Sequence, residues 1–139
     1  FGPLVASDYG RMGEEYVERA NRSVFVSVMI ECVEAVEFID EIVALPGLDS
    51  VVLGPYDLSG SLGVLGQIHH PDVVAAMERV IAAAQAQNLP VGSGMPIDPE
   101  FAVLQASRGV QWLQMGGDIG YMMSAVDDAI ASVRQRLRR

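Results

Sequence analysis

Short apolar runs alternate along this chain with longer stretches in which apolar residues recur at helical spacing. The runs are bounded by turn residues and rich in valine, which is typical of strands that are buried on both faces of a sheet. They predict strands at residues 24–30, 50–53, 90–93 and 111–115.

Between these runs, apolar residues recur at three- and four-residue intervals, which predicts amphipathic helices. The helix at 33–45 should end at Pro46-Gly47, and the next should start at Pro71, while Asp98 is placed to cap a shorter helix. The predicted helices cover residues 12–20, 33–45, 72–88, 99–107 and 121–136.

The order of elements is one helix followed by four strand-helix units. This alternation predicts an α/β fold with a parallel sheet, because parallel neighbours need a crossover connection. No linker-like segment interrupts the pattern, so we treat residues 1–139 as a single unit. Four units form either the core of a doubly wound domain or half of a TIM (β/α)8 barrel, and both place function at the carboxyl ends of the strands.

Composition and charge narrow the choice of partners. The chain has 139 residues, half of them apolar, with 18 acidic against 9 basic residues and a net charge of -9, which argues against a nucleic-acid partner. Cys32 is the single cysteine, so no internal disulfide forms and we expect a cytoplasmic protein. No apolar stretch approaches the roughly 20 residues of a membrane span, so we expect no membrane partner.

Two carboxylates follow the first two predicted strands. Glu31 comes directly after SVFVSVMI, and Asp57 follows the second strand after a Gly-Pro-Tyr turn. Neighbouring parallel strands would bring both to one mouth, where two anions need a cation, a proton or a basic partner between them. A divalent ion of the magnesium or manganese type is one solution. The alternative is that Glu31 caps the next helix and Asp57 caps the turn at 58–61.

The stretch MIECVEAVEFIDEIVALPGLDSVVLGPYDLSGSLG, followed by HHPDV and MGGD, resembles class II pyruvate aldolases of the HpcH/HpaI family. The resemblance runs from FGPLVASDYG through the last helix and matches the second half of these metal-dependent TIM barrels. It implies a lyase that cleaves or forms a 4-hydroxy-2-oxoacid, with pyruvate or a related 2-oxoacid and an aldehyde as partners. It also implies a divalent cation, Mg²⁺, Mn²⁺ or Co²⁺, held by Glu31 and Asp57.

The same resemblance implies that the turn at 54–57 orients the substrate. Gly54, Tyr56 and Asp57 would bind the pyruvate carboxylate, with the backbone N–H groups of Tyr56 and Asp57 as donors. Many family members carry Gln two residues before the metal-binding Glu, and a small residue before the Asp. This chain has Met29 and Tyr56 at those positions, so we expect a different pocket for the aldehyde.

The resemblance places the family's catalytic His and substrate-binding Arg in the first half of the barrel, and we assign neither to this chain. The sequence opens without Met, in what reads as a loop, so we expect a piece of a longer barrel. A half barrel would expose two strand edges, which favours a homo-oligomer or the remaining half as partner. The apolar stripe of the helix at 121–136 fits packing on a neighbouring subunit and, equally, on its own barrel.

Two other functions remain open at this point. One is a CoA-thioester lyase of the same superfamily, and the other is a non-catalytic half-barrel assembly module whose carboxylates only cap helices. The remaining polar and aromatic residues favour structural roles, namely His69 and His70 in a surface turn, Asp118 as a cap, and Cys32, Trp112 and Tyr121 in packing.

Overall fold

The computed structural model describes residues 5–138 and contains a parallel four-stranded sheet with helices between the strands. The strands follow one another across the sheet in chain order, β1-β2-β3-β4. This order is that of a barrel segment, because doubly wound sheets reverse direction at a switch point. The elements are α1 (Gly13–Ser23), β1 (Ser27–Ile30), α2 (Val33–Glu37), α3 (Ile39–Val43), β2 (Ser50–Leu53), α4 (Pro55–Ser61), α5 (Pro71–Ala86), β3 (Val91–Met95), α6 (Pro99–Ser107), β4 (Trp112–Met115) and α7 (Asp118–Leu137).

The strand register divides side chains between two faces of the sheet. Val51 lies opposite Val91, and both belong to the core that packs against the helices. Since successive side chains point to opposite faces, the next row, Val52 opposite Gly92, faces away from the helices. In a closed barrel this second face is the interior.

The main core lies between the sheet and the helices. Helix α5 contributes a stripe of buried residues at the predicted spacing, including Val73, Met77, Val80 and Ile81. Burying one such side chain stabilises the fold by about 1.5–3 kcal/mol, so α5 is a major source of stability. The largest fully buried side chains outside α5 include Ile30, Ile39, Leu53, Leu58 and Phe101.

The predicted helix at 33–45 is two helices, because α2 and α3 are separated by a turn at Phe38. Phe38 has ψ 15°, far from the helical value of about -42°. Its side chain is exposed, whereas the next residue, Ile39, is fully buried. The turn therefore directs the apolar residues of α3 towards the core.

Strand β1 is shorter than the predicted 24–30. It pairs with β2 only from Ser27 to Ile30, and the side chains of residues 24–26 are exposed. The N–H of Val26 donates instead to the Asp49 carboxylate, over 2.7 Å. The apolar run at 24–30 therefore begins before the part of the chain that pairs with β2.

An aromatic pair covers the amino-terminal part of the face that points away from the helices. Trp112 lies across Gly92, where a Cβ would stand 2.2 Å from the indole ring. The indole N–H donates to Ser50 Oγ over 2.9 Å, and Phe25 meets the ring edge-on at 6.4 Å. The predicted packing role of Trp112 is confirmed, but on the face opposite the main core.

Helix α7 has no buried residue within the described part of the chain. Its apolar stripe, formed by Met122, Val126, Ile130 and Val133, is 44–59% exposed. The helix therefore does not bury this stripe against its own sheet. No helix within residues 5–138 is both long and apolar enough to cross a membrane.

We predict that Gln105→Met stabilises the protein. Gln105 is fully buried in α6, its Oε1 has no hydrogen-bond partner, and its Nε2 reaches only the Met77 sulfur at 3.4 Å. Removing an unsatisfied buried acceptor at nearly constant volume should raise the free energy of unfolding by about 1 kcal/mol. Urea denaturation measures this, with the exposed Gln67→Met as control. A loss of stability would show that the amide is satisfied in solution.

Candidate functional site

Glu31 and Gly54 are the first residues beyond two paired strands. Ile30 and Leu53 are the last register partners of β1 and β2, and the Gly54 N–H donates to the Ile30 carbonyl over 3.0 Å. Asp57 follows three residues later, in the first turn of α4. The structure therefore places both predicted carboxylates at the carboxyl edge of neighbouring strands.

Gly54 permits a close approach between the two strand ends. A Cβ at this position would stand 2.8 Å from Glu31 Cβ, 3.1 Å from Glu31 Oε2 and 3.4 Å from Met29 Sδ. A separation of 2.8 Å between carbon atoms is too short for any side chain. Glycine is therefore required here for the Glu31 carboxylate to lie against the start of α4.

Neither carboxylate has a hydrogen bond or an ion pair within the described residues. The N-cap residues of α2 and α4 are Cys32 and Gly54, and neither helix has a side-chain cap bond at that residue. The Val33 N–H at the start of α2 is instead bound by Ser61 Oγ over 3.0 Å. Glu31 and Asp57 therefore do not act as helix caps in this structure.

A cavity of about 440 Å³ opens beside these residues, at the carboxyl edge of the sheet. Asp57 and Gly54 line it, whereas Glu31 does not line it and lies against Gly54. The volume falls within the range of about 300–1,000 Å³ that is usual for small-molecule sites. The other residues lining the cavity are Met29, Pro55, Tyr56, Gly66, Ile68, Gly94, Met95, Pro96 and Gln114.

One wall of the cavity is held in place by a buried serine. Ser59 Oγ donates to the Tyr56 carbonyl over 2.5 Å and accepts from the Gly66 N–H over 2.8 Å. The Ser59 carbonyl accepts from the Val64 N–H, also over 2.8 Å. These bonds tie the loop after α4 to the first turn of that helix, so that Tyr56 and Gly66 adjoin one another.

The two histidines take structural roles. The His69 ring meets Phe101 edge-on, with centroids 5.4 Å apart, and the His70 side chain accepts from the Asp72 N–H at the start of α5. Neither residue lines the cavity. The surface-turn interpretation of this segment agrees with these contacts.

The other weaker candidates also have local partners. Asp118 Oδ1 accepts from the adjacent Ile119 N–H over 2.8 Å, but the N-cap of α7 is Gly117, so Asp118 does not occupy the predicted cap position. The Tyr121 hydroxyl donates to the Met115 carbonyl, while Cys32 is half-buried at the N-cap of α2. None of these three residues lines the cavity.

Several lining residues were missed in the sequence, above all Gly66, Ile68 and Gln114. Gly66 and Ile68 lie in the loop after α4, which a hydrogen bond from the Gly66 N–H to Ser59 Oγ ties to that helix. Gln114 lies on the interior face of β4. The alternation of side chains along a strand could have indicated this position from the sequence.

The fold and the site together define a barrel segment with two acidic residues at the carboxyl ends of neighbouring strands. The sequence profile of the HpcH/HpaI aldolase/citrate lyase family matches residues 6–125. The chain belongs to this family, and the resemblance found in the motif is confirmed.

Related proteins agree with that assignment. The hydroxypyruvate/pyruvate aldolase of Paraburkholderia phytofirmans is 34% identical over 133 residues, which is 96% of this chain and 50% of that protein. A 5-keto-4-deoxy-D-glucarate aldolase of Shigella dysenteriae is 32% identical, over 80% of this chain and 43% of that protein. The family and these relatives are lyases, and the chain spans about half the length of the curated relatives it matches.

Solved structures support the barrel. The chain superposes on an HpcH/HpaI aldolase/citrate lyase family protein from Burkholderia cenocepacia with a TM-score of 0.82 and 35% identity. The match covers 94% of this chain and 50% of that one. The four strands therefore correspond to half of a TIM-barrel-like fold, as predicted.

We predict that Gly54→Ala destabilises the protein, because the added Cβ would overlap Glu31 Cβ and force β1 and β2 apart at their ends. Forcing a methyl group into such a contact costs about 1–3 kcal/mol, measured by urea denaturation. Gly117→Ala is the control, since its Cβ would meet nothing within 4 Å. Equal effects of the two substitutions would contradict the close approach.

Proposed function

We propose that the protein is a divalent-metal-dependent class II aldolase, a carbon-carbon lyase that cleaves a 4-hydroxy-2-oxoacid to pyruvate, or a related 2-oxoacid, and an aldehyde, or catalyses the reverse condensation. The observation that carries this proposal is the pair of carboxylates, Glu31 and Asp57, which lie at adjacent strand ends without a partner among residues 5–138, and of which Asp57 lines the cavity. The family membership supports the reaction class.

The donor set fits a hard divalent cation. No group of three or more His, Cys, Asp or Glu side chains suited to a metal lies within residues 5–138. Magnesium, however, is usually held by one or two carboxylates, with water and substrate oxygens completing its shell. Glu31 and Asp57 would thus hold Mg²⁺, Mn²⁺ or Co²⁺. When bound, the ion would supply Lewis-acid stabilisation of the negative charge that develops on the 2-oxo oxygen.

The turn at 54–57 is suited to the carboxylate of the substrate. The backbone N–H groups of Tyr56 and Asp57 have no acceptor within the described residues. Pro55 has no N–H and a fixed φ, so it stiffens the turn between Gly54 and these donors. We infer that the two N–H groups bind the pyruvate carboxylate and so orient C3 towards the cavity.

Cleavage breaks the C3–C4 bond of the substrate. The C4 hydroxyl proton passes to a base, the C4–O bond becomes the aldehyde carbonyl, and the electron pair of the broken bond forms the enolate of pyruvate. Protonation of C3 then completes pyruvate. We assign no residue of this chain as the base. The family resemblance implies that a His and a substrate-binding Arg come from the barrel half that these residues do not represent.

The rival functions have less support. A basic groove for the CoA phosphates would favour a CoA-thioester lyase, whereas this chain has 18 acidic against 9 basic residues and a net charge of -9. A non-catalytic module whose carboxylates only cap helices needs cap bonds that Glu31 and Asp57 do not make. The single cysteine remains our reason to propose a cytoplasmic location.

We also propose that the protein is a homo-oligomer in which α7 packs on a neighbouring subunit. The support is the exposed apolar stripe along a 20-residue helix that buries nothing on its own sheet. Leaving such a stripe in water forgoes about 25 cal/mol for each Å² of apolar surface that an interface would cover.

Metal binding should appear as thermal stabilisation. We expect Mg²⁺ or Mn²⁺ to raise the melting temperature saturably, since a ligand at a hundred times its Kd stabilises the folded state by about 2.7 kcal/mol. Glu31→Gln and Asp57→Asn should each remove most of this shift. Glu34→Gln, an exposed carboxylate in the first turn of α2, is the matched control and should keep it. An equal shift in all four proteins would contradict the metal site.

Oligomerisation through α7 should be lost on placing a charge in the apolar stripe. We expect Val126→Glu and Ile130→Glu to lower the mass measured by light scattering, because an unpaired carboxylate is costly to bury at an interface. Gln135→Glu, an exposed polar position on the same helix, is the control. A wild-type protein of monomer mass would refute the proposal.

A further inference from the structure

The last residue of α4, Ser61, is bonded to the segment that carries Glu31. Its Oγ accepts from the Val33 N–H over 3.0 Å, although the two residues are 28 positions apart in the chain. Val33 begins α2, where a backbone N–H has no partner within the helix. Cys32 at the N-cap makes no side-chain cap bond, so Ser61 supplies the acceptor from another helix. The bond holds the chain just beyond Glu31 against the end of α4.

Ser59 is bonded to the segment that carries Asp57. Its side chain is fully buried, and its Oγ donates over 2.5 Å to the carbonyl of Tyr56, the residue before Asp57. The same oxygen accepts from the Gly66 N–H over 2.8 Å, so the hydroxyl acts both as donor and as acceptor. The first turn of α4 is therefore fixed from within the protein, next to one of the two carboxylates.

Helix α4 is itself anchored, so both serines act from a fixed element. Leu58 is fully buried in the main core, and its N–H donates to the Gly54 carbonyl over 2.9 Å. Glu31 lies against the same end of β2, since a Cβ on Gly54 would stand 3.1 Å from its Oε2. Two strand ends and one anchored helix therefore determine how far apart the two carboxylates lie.

A divalent cation is sensitive to that separation. Mg²⁺ binds oxygen at about 2.0–2.1 Å in nearly octahedral geometry, whereas Ca²⁺ accepts about 2.3–2.6 Å and more flexible shells. Carboxylates held at one separation can favour the smaller ion, while a pair that is free to move apart also accommodates the larger one. Hydrogen bonds behind the ligands maintain such a geometry, and losing one lowers metal affinity by about 10–100-fold.

We propose that Ser59 and Ser61 are positioning residues that fix the separation of Glu31 and Asp57, and we call this pair of serines the serine clamp. Within residues 5–138 neither carboxylate has a hydrogen-bond partner, so its position follows from the backbone that the clamp holds. The inference rests on the proposed metal site. It adds the source of that site's affinity and of its preference for a small ion.

Ion binding to the full chain tests the clamp without turnover. We expect Ser61→Ala to raise the Kd for Mn²⁺, measured by EPR of the free ion, about tenfold or more. The Kd for Ca²⁺, measured by competition with Mn²⁺, should rise less, because a looser pair still fits the larger ion. Ser61→Thr keeps the hydroxyl and should restore the ratio of the two constants.

A matched control separates the clamp from a general loss of stability. Ser107 also ends a helix, and its Oγ donates to the Leu104 carbonyl within that helix, so Ser107→Ala should leave both constants unchanged. Ser59→Ala should change the ratio of the constants as Ser61→Ala does. Its cost to folding is measured by urea denaturation of the metal-free protein, and a loss of folded protein alone would weaken the binding of both ions equally.

Hydrogen exchange in the metal-free protein tests the bonds themselves. The amides of Val33 and Gly66 should be protected, and the alanine variants of Ser61 and Ser59 should each accelerate exchange at their own partner. The same two variants should move the amide NMR signals of the neighbouring carboxylate residues, whereas the control variant should not.

Three results would overturn the inference: unchanged Mn²⁺ and Ca²⁺ constants in both alanine variants, equal losses of affinity for the two ions, or unprotected amides at Val33 and Gly66. A different result would refute the metal site alone. If no ion binds saturably to the wild-type protein while the exchange and NMR changes occur as expected, the clamp positions the two carboxylates and the metal proposal fails.

Discussion

The register between β1 and β2 is the constraint on which the rest of the site depends. It sets Ile30 opposite Leu53, so that Glu31 and Gly54 leave the sheet side by side. A slip of one residue would move every side chain of one strand to the other face. The close contact at Gly54 allows this register to bring the Glu31 carboxylate against the turn that carries Asp57.

The turn at 54–57 connects this strand register to the cavity. Helix α4 starts directly after Gly54, so the positions of Tyr56 and Ser59 follow from the end of β2. Ser59 in turn fixes the loop that contains Gly66, and this loop completes the cavity wall. One strand pairing thus positions both the charged and the apolar parts of the site, although they lie on different elements.

The distribution of apolar surface shows where this unit meets other protein. The helix-facing side of the sheet is closed by its own core, whereas the opposite face is covered only in part, by Trp112 and Phe25. Helix α7 leaves its whole stripe exposed. A barrel segment of this kind is stabilised fully only when the interior face and the α7 stripe are covered, because exposed apolar surface contributes nothing to stability.

The sequence by itself determined the α/β class, the strand-helix order, the start of α5 at Pro71, the cap at Asp98, and the placement of Glu31 and Asp57 at strand ends. These features follow from local periodicity and from the geometry shared by all parallel sheets. Only the tertiary structure decided that β1 begins at Ser27, that Trp112 crosses Gly92, and that Ser59 and Ser61 bind distant backbone groups. Each depends on contacts that form only when the chain folds, and the spacing of residues along the sequence does not specify those contacts.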